Sequence, residues 1–358
     1  MKNAKIILLA GIILLAVFMT LTCQRTIETF ELALIKDIGT IDDKSFNQGS
    51  WEGLLQYALP NNISHRHYQP PEQSVSSYLN TIDLAVRGGA KIIVTPGFLF
   101  SAAIFEAQDR YPDVRFILVD ALPMANGVTR VGGNTVALLY AEDQAGFLAG
   151  YAAVMDGYRN LGFIGGMAVP NVVRFGYGFV QGAEYAAQQL GLAAGQITIN
   201  YIYTGNFIAS PETQTLAASW YNAGVEVIFA CGGALGNSVM AAAEQAGRAV
   251  IGVDIDQSDV SVTVITSAMK MLQYSVYSSI AAYYRGEFPG GQTRTFEADN
   301  FGVGLPMDTS RFQIFSQAGY DAIFGKLAAG EMNRMVFIAE GGDPFVVPVD
   351  IVRVTFIK

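Results

Sequence analysis

The sequence predicts an α/β protein built from two doubly wound lobes, each with a parallel sheet. Short apolar runs alternate with longer amphipathic stretches, as in βαβ units whose strands are buried on both faces. The 358 residues leave room for two domains of ordinary size. Polar, aromatic and glycine residues follow the apolar runs, and open parallel sheets bind ligands at the carboxyl ends of their strands. We therefore expect a ligand cleft between two facing sheets.

The N-terminus has the pattern of an export signal. Two lysines precede an apolar run at 6–18, which has the length of a secretory h-region and is short for a transmembrane span. Cys23 stands where a bacterial lipoprotein signal is cleaved and the new N-terminal cysteine acylated, although Thr20 and Thr22 occupy places where Leu and a small residue are usual. We expect a signal at 1–22 and a lipid anchor on Cys23. The alternatives are an ordinary cleaved signal or an uncleaved anchor, and either way the folded part lies outside the cytoplasm. The lipid anchor would hold it at the cell membrane, facing the periplasm or the exterior.

The apolar runs and the stretches between them predict the elements in order. Pro170 and Pro211 fit helix starts, where a missing N–H has little effect. The predicted strands are 31–36, 91–95, 114–120, 160–165, 197–203, 225–230 and 249–254. The predicted helices lie near 46–58, 73–87, 101–111, 141–155, 174–190, 211–223 and 236–246.

Charge and cysteine content exclude several classes of partner. A net charge of −9 argues against nucleic acid or anionic lipid, which proteins bind through basic patches. The acidic balance also favours a monomer. Cys231 is the only cysteine besides Cys23, so we expect no intrachain disulfide if Cys23 is acylated. Cys231 itself fits a small buried residue at a strand end.

The loop at 39–53, GTIDDKSFNQGSWEG, carries acid, amide and aromatic groups directly after the first predicted strand. Asp42, Asp43 and Asn47 are candidates for ligand binding or for capping the following helix. Such a loop at a strand end predicts part of a binding site.

Three phenylalanines fall in loops that follow predicted strands. Phe46, Phe175 and Phe207 would suit a flat ligand, since stacking of a base on one aromatic ring contributes ~1–3 kcal/mol. Alternatively, each ring caps its own loop or packs within a lobe.

Two carboxylates and one ammonium group complete the candidate site. Asp120 and Asp254 each end a strand, where a carboxylate can accept two hydrogen bonds from a base edge or a ribose diol. Each would equally suit a helix N-cap. Lys270 stands at what reads as an apolar helix start and could donate to a sugar hydroxyl, or it could be a solvated charge.

Motifs for enzymes, metals and cofactors are weak. The sequence has no phosphate-binding G-x-x-x-x-G-K-[ST] loop, and GYGFVQG at 176–182 has the wrong spacing for a dinucleotide fingerprint. Its glycines suit close helix packing instead. The only histidines, His65 and His67, alternate on one face and fit a solvated strand better than a metal site. A nucleoside hydrolase using Asp42, Asp43 or Asp254 would lack an acid/base set, so we expect neither enzyme activity nor a cofactor or metal.

An ordered series of motifs resembles the basic membrane protein family of lipoproteins, whose members include purine nucleoside receptors of ABC transporters. The resemblance runs from about residue 30 to the C-terminus. The motifs are DDKSFNQ-x-x-WEG at 42–53, FILVDA at 116–121, FLAG at 147–150, VIFACGG-x-x-GN at 227–237, GVD-x-DQ at 252–257, TSAMK at 266–270 and FPGGQ at 288–292.

This resemblance implies a type I periplasmic binding protein that captures a purine nucleoside such as inosine, guanosine or adenosine and passes it to an ABC permease. It implies two lobes joined by three crossovers, which close on the ligand by a hinge. It also implies a role for each candidate: Phe46 and Phe207 sandwich the purine, Phe175 adds an apolar wall, Asn47 and Asp120 read the base, Asp254 and Lys270 bind the ribose, and Gly232 brings the backbone close. Asp42 remains a further candidate for ligand binding.

The expected domains follow from this architecture. After a tether at 23–30, one lobe would comprise 31–140 plus about 255–295, and the other 141–254 plus about 296–358. A receptor of the same fold for a sugar or an autoinducer, or a surface adhesin without a transport role, remains an alternative.

Overall fold

The computed structural model describes residues 29–37, 39–332 and 342–357. The expected signal and Cys23 lie outside these residues. Within them, strands and helices alternate and form two large parallel sheets, which confirms the predicted α/β class.

The first sheet has six parallel strands in the order β13-β7-β4-β3-β1-β2. Its central strands are apolar and buried throughout, as expected for a sheet covered on both faces. The strands are β1 (Leu32–Ile35), β2 (His65–Tyr68), β3 (Ile92–Pro96), β4 (Arg115–Val119), β7 (Thr135–Tyr140) and β13 (Gln292–Phe296). A short antiparallel hairpin, β5 (Met124–Ala125) and β6 (Val128–Thr129), extends from the end of β4.

The second sheet has seven strands in the order β14-β12-β11-β10-β8-β9-β15. All its pairings are parallel except that of β14 with β12. The strands are β8 (Asn160–Gly165), β9 (Ile197–Tyr203), β10 (Val227–Cys231), β11 (Ala249–Asp254), β12 (Val264–Lys270), β14 (Val303–Gly304) and β15 (Val352–Phe356). We call each sheet, together with the helices packed on it, the first and the second lobe.

Helices connect the strands, and their observed starts agree closely with the sequence pattern. Pro170 and Pro211 begin their helices as predicted. The α-helices are α1 (Phe46–Ala58), α2 (Val75–Arg87), α3 (Ser101–Arg110), α4 (Glu142–Met155), α5 (Pro170–Gln189), α6 (Pro211–Asn222), α7 (Leu235–Ala246), α8 (Leu272–Tyr284) and α9 (Gln317–Ala328). Two 3₁₀ turns lie at Phe98–Phe100 and Ala298–Asn300.

The chain passes between the sheets from β7 to β8, from β12 to β13 and from β13 to β14. This differs from the expected lobe boundary near residue 255, because β12 pairs with β11 in the second sheet and the second crossing follows Lys270. The expectation that Lys270 starts a helix is wrong for the same reason. Thr266 and Ser267 interrupt the apolar run and hide the strand pattern, yet both side chains are buried.

Glycines allow α4 and α5 to cross with their backbones in contact. A Cβ on Gly178 would lie 1.9 Å from the carbonyl oxygen of Asp143, and one on Gly182 would lie 2.0 Å from that of Phe147. Gly146 and Gly150 stand equally close to α5. The interpretation of GYGFVQG as a helix-packing motif is confirmed. The contact fixes the position of α5, which carries the cleft residues Asn171 and Phe175.

The two histidines considered for a metal site, and the second cysteine, have the surroundings of structural residues. His65 and His67 both contact the ring of Trp51, with centroids 5.7 and 5.4 Å away, so they share one face of β2. No group of three or more His, Cys, Asp or Glu among the described residues could hold a metal ion. Cys231 is a buried free thiol at the end of β10, as predicted. Within the same described ranges, no helix has both the length and the apolar character needed to cross a membrane.

Candidate functional site

A cleft lies between the carboxyl ends of the two sheets, where the sequence predicted it. Seven of the nine predicted ligand-binding residues line this cleft: Phe46, Asn47, Phe175, Phe207, Gly232, Asp254 and Lys270. They come from both lobes and from sequence positions more than 200 residues apart. Asp120 is buried beside the cleft, and Asp42 lies outside it.

The aromatic lining comes from the starts of helices and from one loop. Phe46 is the first residue of α1, and its ring is partly exposed. Phe207 follows β9 and lies over Gly166, where a Cβ would come within 2.3 Å of the ring. Phe175 is almost fully buried and meets Phe229 edge-on, with centroids 5.9 Å apart. Phe175 therefore forms part of the cleft wall and also packs within its lobe.

Lys270 connects the two predicted carboxylates. Its Nζ lies 2.5 Å from Oδ2 of Asp120 in the first lobe and 3.1 Å from Oδ1 of Asp254 in the second. All three side chains are buried, and Nζ also lies 4.6 Å from the centroid of Phe46. This triad is thus part of the cleft wall and a bridge between the lobes, so Lys270 is not a solvated charge.

Burial and pairing act in opposite directions on the triad. Burial acts to lower the pKa of Lys270, but the two carboxylates outweigh it and the pKa is raised. Lys270 is therefore a permanent cation. Burial raises the pKa of Asp120 to about 7, whereas its attraction to Lys270 acts to lower it. Lys270 thus favours the ionised form of Asp120.

Asp120 and Asp254 share an unusual backbone conformation. Their φ angles are 63° and 70°, in the left-handed region that non-glycine residues rarely adopt. Neither residue caps a helix. Each one turns the chain sharply at the end of its strand and points its carboxylate toward Lys270. Such strain persists only where surrounding contacts hold it, and it concentrates at functional sites.

Asp43, rather than Asp42, faces the cleft. Its carboxylate accepts hydrogen bonds from the backbone N–H groups of Ser45 (2.9 Å), Asn47 (3.0 Å) and Gln48 (3.1 Å). These groups lie at the start of α1, where backbone N–H groups have no partner within the helix. Burial raises the pKa of Asp43 to about 6, although these bonds act to lower it. Asp42 is exposed and is not among the residues that line the cleft, so its role in ligand binding stays a prediction from the sequence.

Gly232 lies where two strand ends come close together. A Cβ on Gly232 would lie 3.0 Å from the backbone nitrogen of Gly166. Any larger residue would press on the loop after β8, which supports Phe207. The glycine therefore allows a close approach of backbone segments at the cleft wall.

Three residues that join the lobes by hydrogen bonds were missed by the sequence reasoning, and Asn171 among them lines the cleft. Ser45 donates to Oδ2 of Asp254 at 2.6 Å, and Asn171 donates to Oδ2 of Asp120 at 3.0 Å. The side-chain amide of Gln257 donates to the carbonyl oxygen of Lys44 at 2.6 Å. All three bonds cross from one lobe to the other. Ser45 and Gln257 lie inside motifs that the sequence singled out, but no signal marked Asn171.

An ion pair between α4 and α5 interacts with the triad through its charges. Arg174 donates through Nε to Oε2 of Glu142 at 2.6 Å, and the carboxylate is fully buried. The charge of Glu142 acts on both Asp120 and Lys270, and the charge of Asp120 acts on Arg174. The cleft wall therefore carries an extended network of paired charges.

A family model described as "ABC transporter substrate-binding protein PnrA-like" matches residues 30–326 of the chain. Among curated proteins, the "ABC transporter nucleoside-binding protein BmpA" of Lactococcus lactis is 29% identical over 321 residues, which cover 82% of this chain and 87% of that protein. "Basic membrane protein B" of Borreliella burgdorferi is 28% identical over 309 residues, covering 84% and 88%.

Solved structures show the same fold. A solute-binding protein of an ABC transporter from Aeropyrum pernix superposes with a TM-score of 0.69 at 24% identity, covering 88% of this chain and 83% of that one. Another from Conexibacter woesei gives 0.67 at 22% identity, covering 84% and 97%. The fold class predicted from the sequence is therefore confirmed.

Proposed function

We propose that this chain captures purine nucleosides in the cleft between its lobes. The chain belongs to the Bmp family of PnrA-like ABC transporter substrate-binding proteins. Membership of this family places the protein outside the cytoplasm and gives it the permease of an ABC transporter as its partner. We propose in addition that Cys23 carries a lipid anchor that holds the protein at the cell membrane, and that the protein acts as a monomer.

The observation that carries the proposal is the division of one cleft into aromatic and charged parts. Phe46 and Phe207 line the cleft from opposite lobes, and two aromatic side chains on opposite sides of a cleft suit a planar base. Asp254 and Lys270 lie in the same cleft and offer an acceptor and a donor to sugar hydroxyls. A nucleoside has both a flat base and a diol, whereas a free base or a free sugar would use only one part.

The comparison with Lactococcus lactis supports this choice of ligand. That relative is named as nucleoside-binding, and the match covers most of both chains. The assignment of inosine, guanosine or adenosine as ligands, and of each site residue to base or ribose, is our proposal.

The first test identifies the bound molecule. The full-length chain is purified in detergent and denatured, and the released small molecules are analysed by mass spectrometry. Calorimetric titrations with inosine, guanosine, adenosine, cytidine and ribose follow. We expect a purine nucleoside to be released or to bind tightly. A chain that is empty and binds none of these would point to another ligand or to an adhesin.

Two variants then separate the base and ribose parts of the cleft. We expect Asp254→Ala to weaken nucleosides about tenfold or more relative to free bases, because it removes a hydrogen bond to the ribose. Phe46→Ala removes a stacking surface and should weaken both ligand types about equally. Titrations of each variant with guanosine and guanine provide the comparison. Equal loss of both ligands in Asp254→Ala would contradict the ribose role.

A further inference from the structure

Asn171 joins the two lobes beside the triad, at the start of α5. Its amide nitrogen donates to Oδ2 of Asp120, 3.0 Å away in the other lobe. The same Oδ2 is paired with Lys270. Asn171 also lines the cleft, between Val169 and Val172. It therefore lies where a ligand and the opposing lobe meet.

Chemistry fixes which end of the Asn171 amide faces Asp120. An ionised carboxylate only accepts hydrogen bonds, and Lys270 at 2.5 Å favours the ionised form of Asp120. The amide must turn its NH₂ group to the carboxylate, because the opposite orientation would set two acceptors against each other. Its oxygen consequently remains able to accept a hydrogen bond from another group.

The oxygen left over has no donor among the described residues. Oδ1 of Asn171 is buried without a hydrogen-bond partner, and so is Oδ1 of Asp120. Buried acceptors are nearly always paired in folded proteins. Two such acceptors on a hydrogen-bonded pair of side chains, of which Asn171 lines the cleft, indicate that the ligand supplies donors.

We infer that Asn171 is a specificity-determining residue whose Oδ1 accepts an N–H of the ligand base, while its Nδ2 remains on Asp120. This inference rests on the proposed function. Purines with N–H groups on their six-membered ring edge are then favoured. Guanine presents two adjacent donors, N1–H and the 2-amino group, which match the two acceptors. A purine whose N1 carries only a lone pair meets an acceptor instead.

The test compares guanosine with purine riboside, which keeps the ring system and the ribose but has no donor on that edge. Calorimetry on the full-length chain in detergent gives the ratio of the two dissociation constants for the wild type and for Asn171→Ala. We expect the wild type to prefer guanosine, and the preference to fall about tenfold in Asn171→Ala through the loss of one hydrogen bond.

Val172→Ala is the matched control. Val172 lines the same cleft but offers no polar atom, so its truncation should weaken both ligands alike and leave the ratio unchanged. Thermal unfolding of each variant checks that it is folded. A crystal structure of the guanosine complex should place a base nitrogen within about 3.2 Å of Oδ1 of Asn171, which separates direct contact from mere positioning of Asp120.

The outcomes distinguish the two proposals. Binding of guanosine by the wild type with an unchanged ratio in Asn171→Ala would overturn the role of Asn171 alone. A complex in which no base nitrogen reaches Asn171 would do the same. Failure of the wild type to bind any purine nucleoside would overturn the proposed function and, with it, this inference.

Discussion

At the residue scale, the most consequential side chain is Lys270. It holds together two carboxylates from different lobes in a buried position, a role that no single stretch of sequence could indicate. The sequence pattern favoured a solvated charge at a helix start. Only the pairing of β12 with β11 places this ammonium group beside Asp254 and across from Asp120.

Lys270→Met should destabilise the protein strongly. The change leaves Asp120 and Asp254 buried without their cation, and removal of one partner from a buried ion pair costs ~3–5 kcal/mol. Denaturant titration of the wild type and the variant measures this loss as a difference in the free energy of unfolding. Lys91→Met is the matched control. Lys91 pairs with a partly exposed Glu31 at 2.8 Å, and exposed ion pairs contribute at most ~1 kcal/mol to the free energy of unfolding. Equal, small losses in both variants would contradict a structural role for the triad.

Asp43 should make stability fall as the pH rises. Burial raises the pKa of Asp43 from 3.8 to about 6, so the folded protein binds a proton that the unfolded chain has lost between these values. Over that window, the contribution of Asp43 to the free energy of unfolding should decrease by at most ~1.4 kcal/mol per pH unit. It is fully present below pH 3.8 and lost above pH 6.

The difference in unfolding free energy between the wild type and Asp43→Asn, measured from pH 4 to pH 8, isolates this contribution. Asp42→Asn is the control, because the exposed Asp42 has a lowered pKa, caused first by a hydrogen bond with Thr40, and any contribution has the opposite sign. A wild-type minus Asp43→Asn difference that rises with pH would contradict the assignment.

At the element scale, the crossing of α4 and α5 depends on glycine. These helices form the wall that carries Asn171, Arg174 and Phe175, and their backbones touch at four glycines. The sequence predicted both helices within a few residues and linked their glycines to packing. It did not predict that Glu142, in the first turn of α4, would pair with Arg174 on α5.

Gly178→Ala should destabilise the protein by ~2 kcal/mol or more, because its Cβ would lie 1.9 Å from a backbone oxygen of Asp143 and would push the helices apart. Gly325→Ala, in α9, is the matched control. A Cβ there has open space, so the better helix propensity of alanine should stabilise by ~0.5–1 kcal/mol. Chemical denaturation of both variants measures the change in the free energy of unfolding, which should fall in Gly178→Ala and rise in Gly325→Ala. An unchanged free energy of unfolding in Gly178→Ala would show that the two helices can move apart without loss of stability.

At the scale of the whole molecule, the lobes meet through polar contacts at the cleft. Asn171 and Lys270 reach Asp120, Ser45 reaches Asp254, and Gln257 reaches the backbone of Lys44. Contacts of this kind, together with three connecting segments, suit lobes that can separate and close. A ligand that touches both lobes stabilises the closed state through its differential affinity.

Guanosine should therefore compact the protein and raise its stability. At a ligand concentration 100 times the dissociation constant, the expected stabilisation is ~2.7 kcal/mol. Small-angle scattering should show a smaller radius of gyration, and thermal unfolding a higher midpoint. Ribose at the same concentration is the control ligand. A rise in the midpoint without compaction would indicate that the lobes are already closed before the ligand binds.

The sequence alone determined the class of fold, the strands at 160–165, 197–203 and 249–254, the helix at 46–58, and the strand ends at which a cleft would form. These features follow from local periodicity and from residues such as Pro170 and Pro211, whose effects act within one or two turns of chain. The family motifs singled out the candidate binding residues in advance.

Only the tertiary structure decided which of these residues meet. It turned Asp43 rather than Asp42 toward the cleft, placed Lys270 between two carboxylates and brought the unmarked Asn171 onto Asp120. Contacts between positions 51 to 213 residues apart depend on strand order and on where the chain crosses between sheets. Neither is encoded in the local pattern of apolar and polar residues, which is why the pattern revealed the elements but not the network that links them.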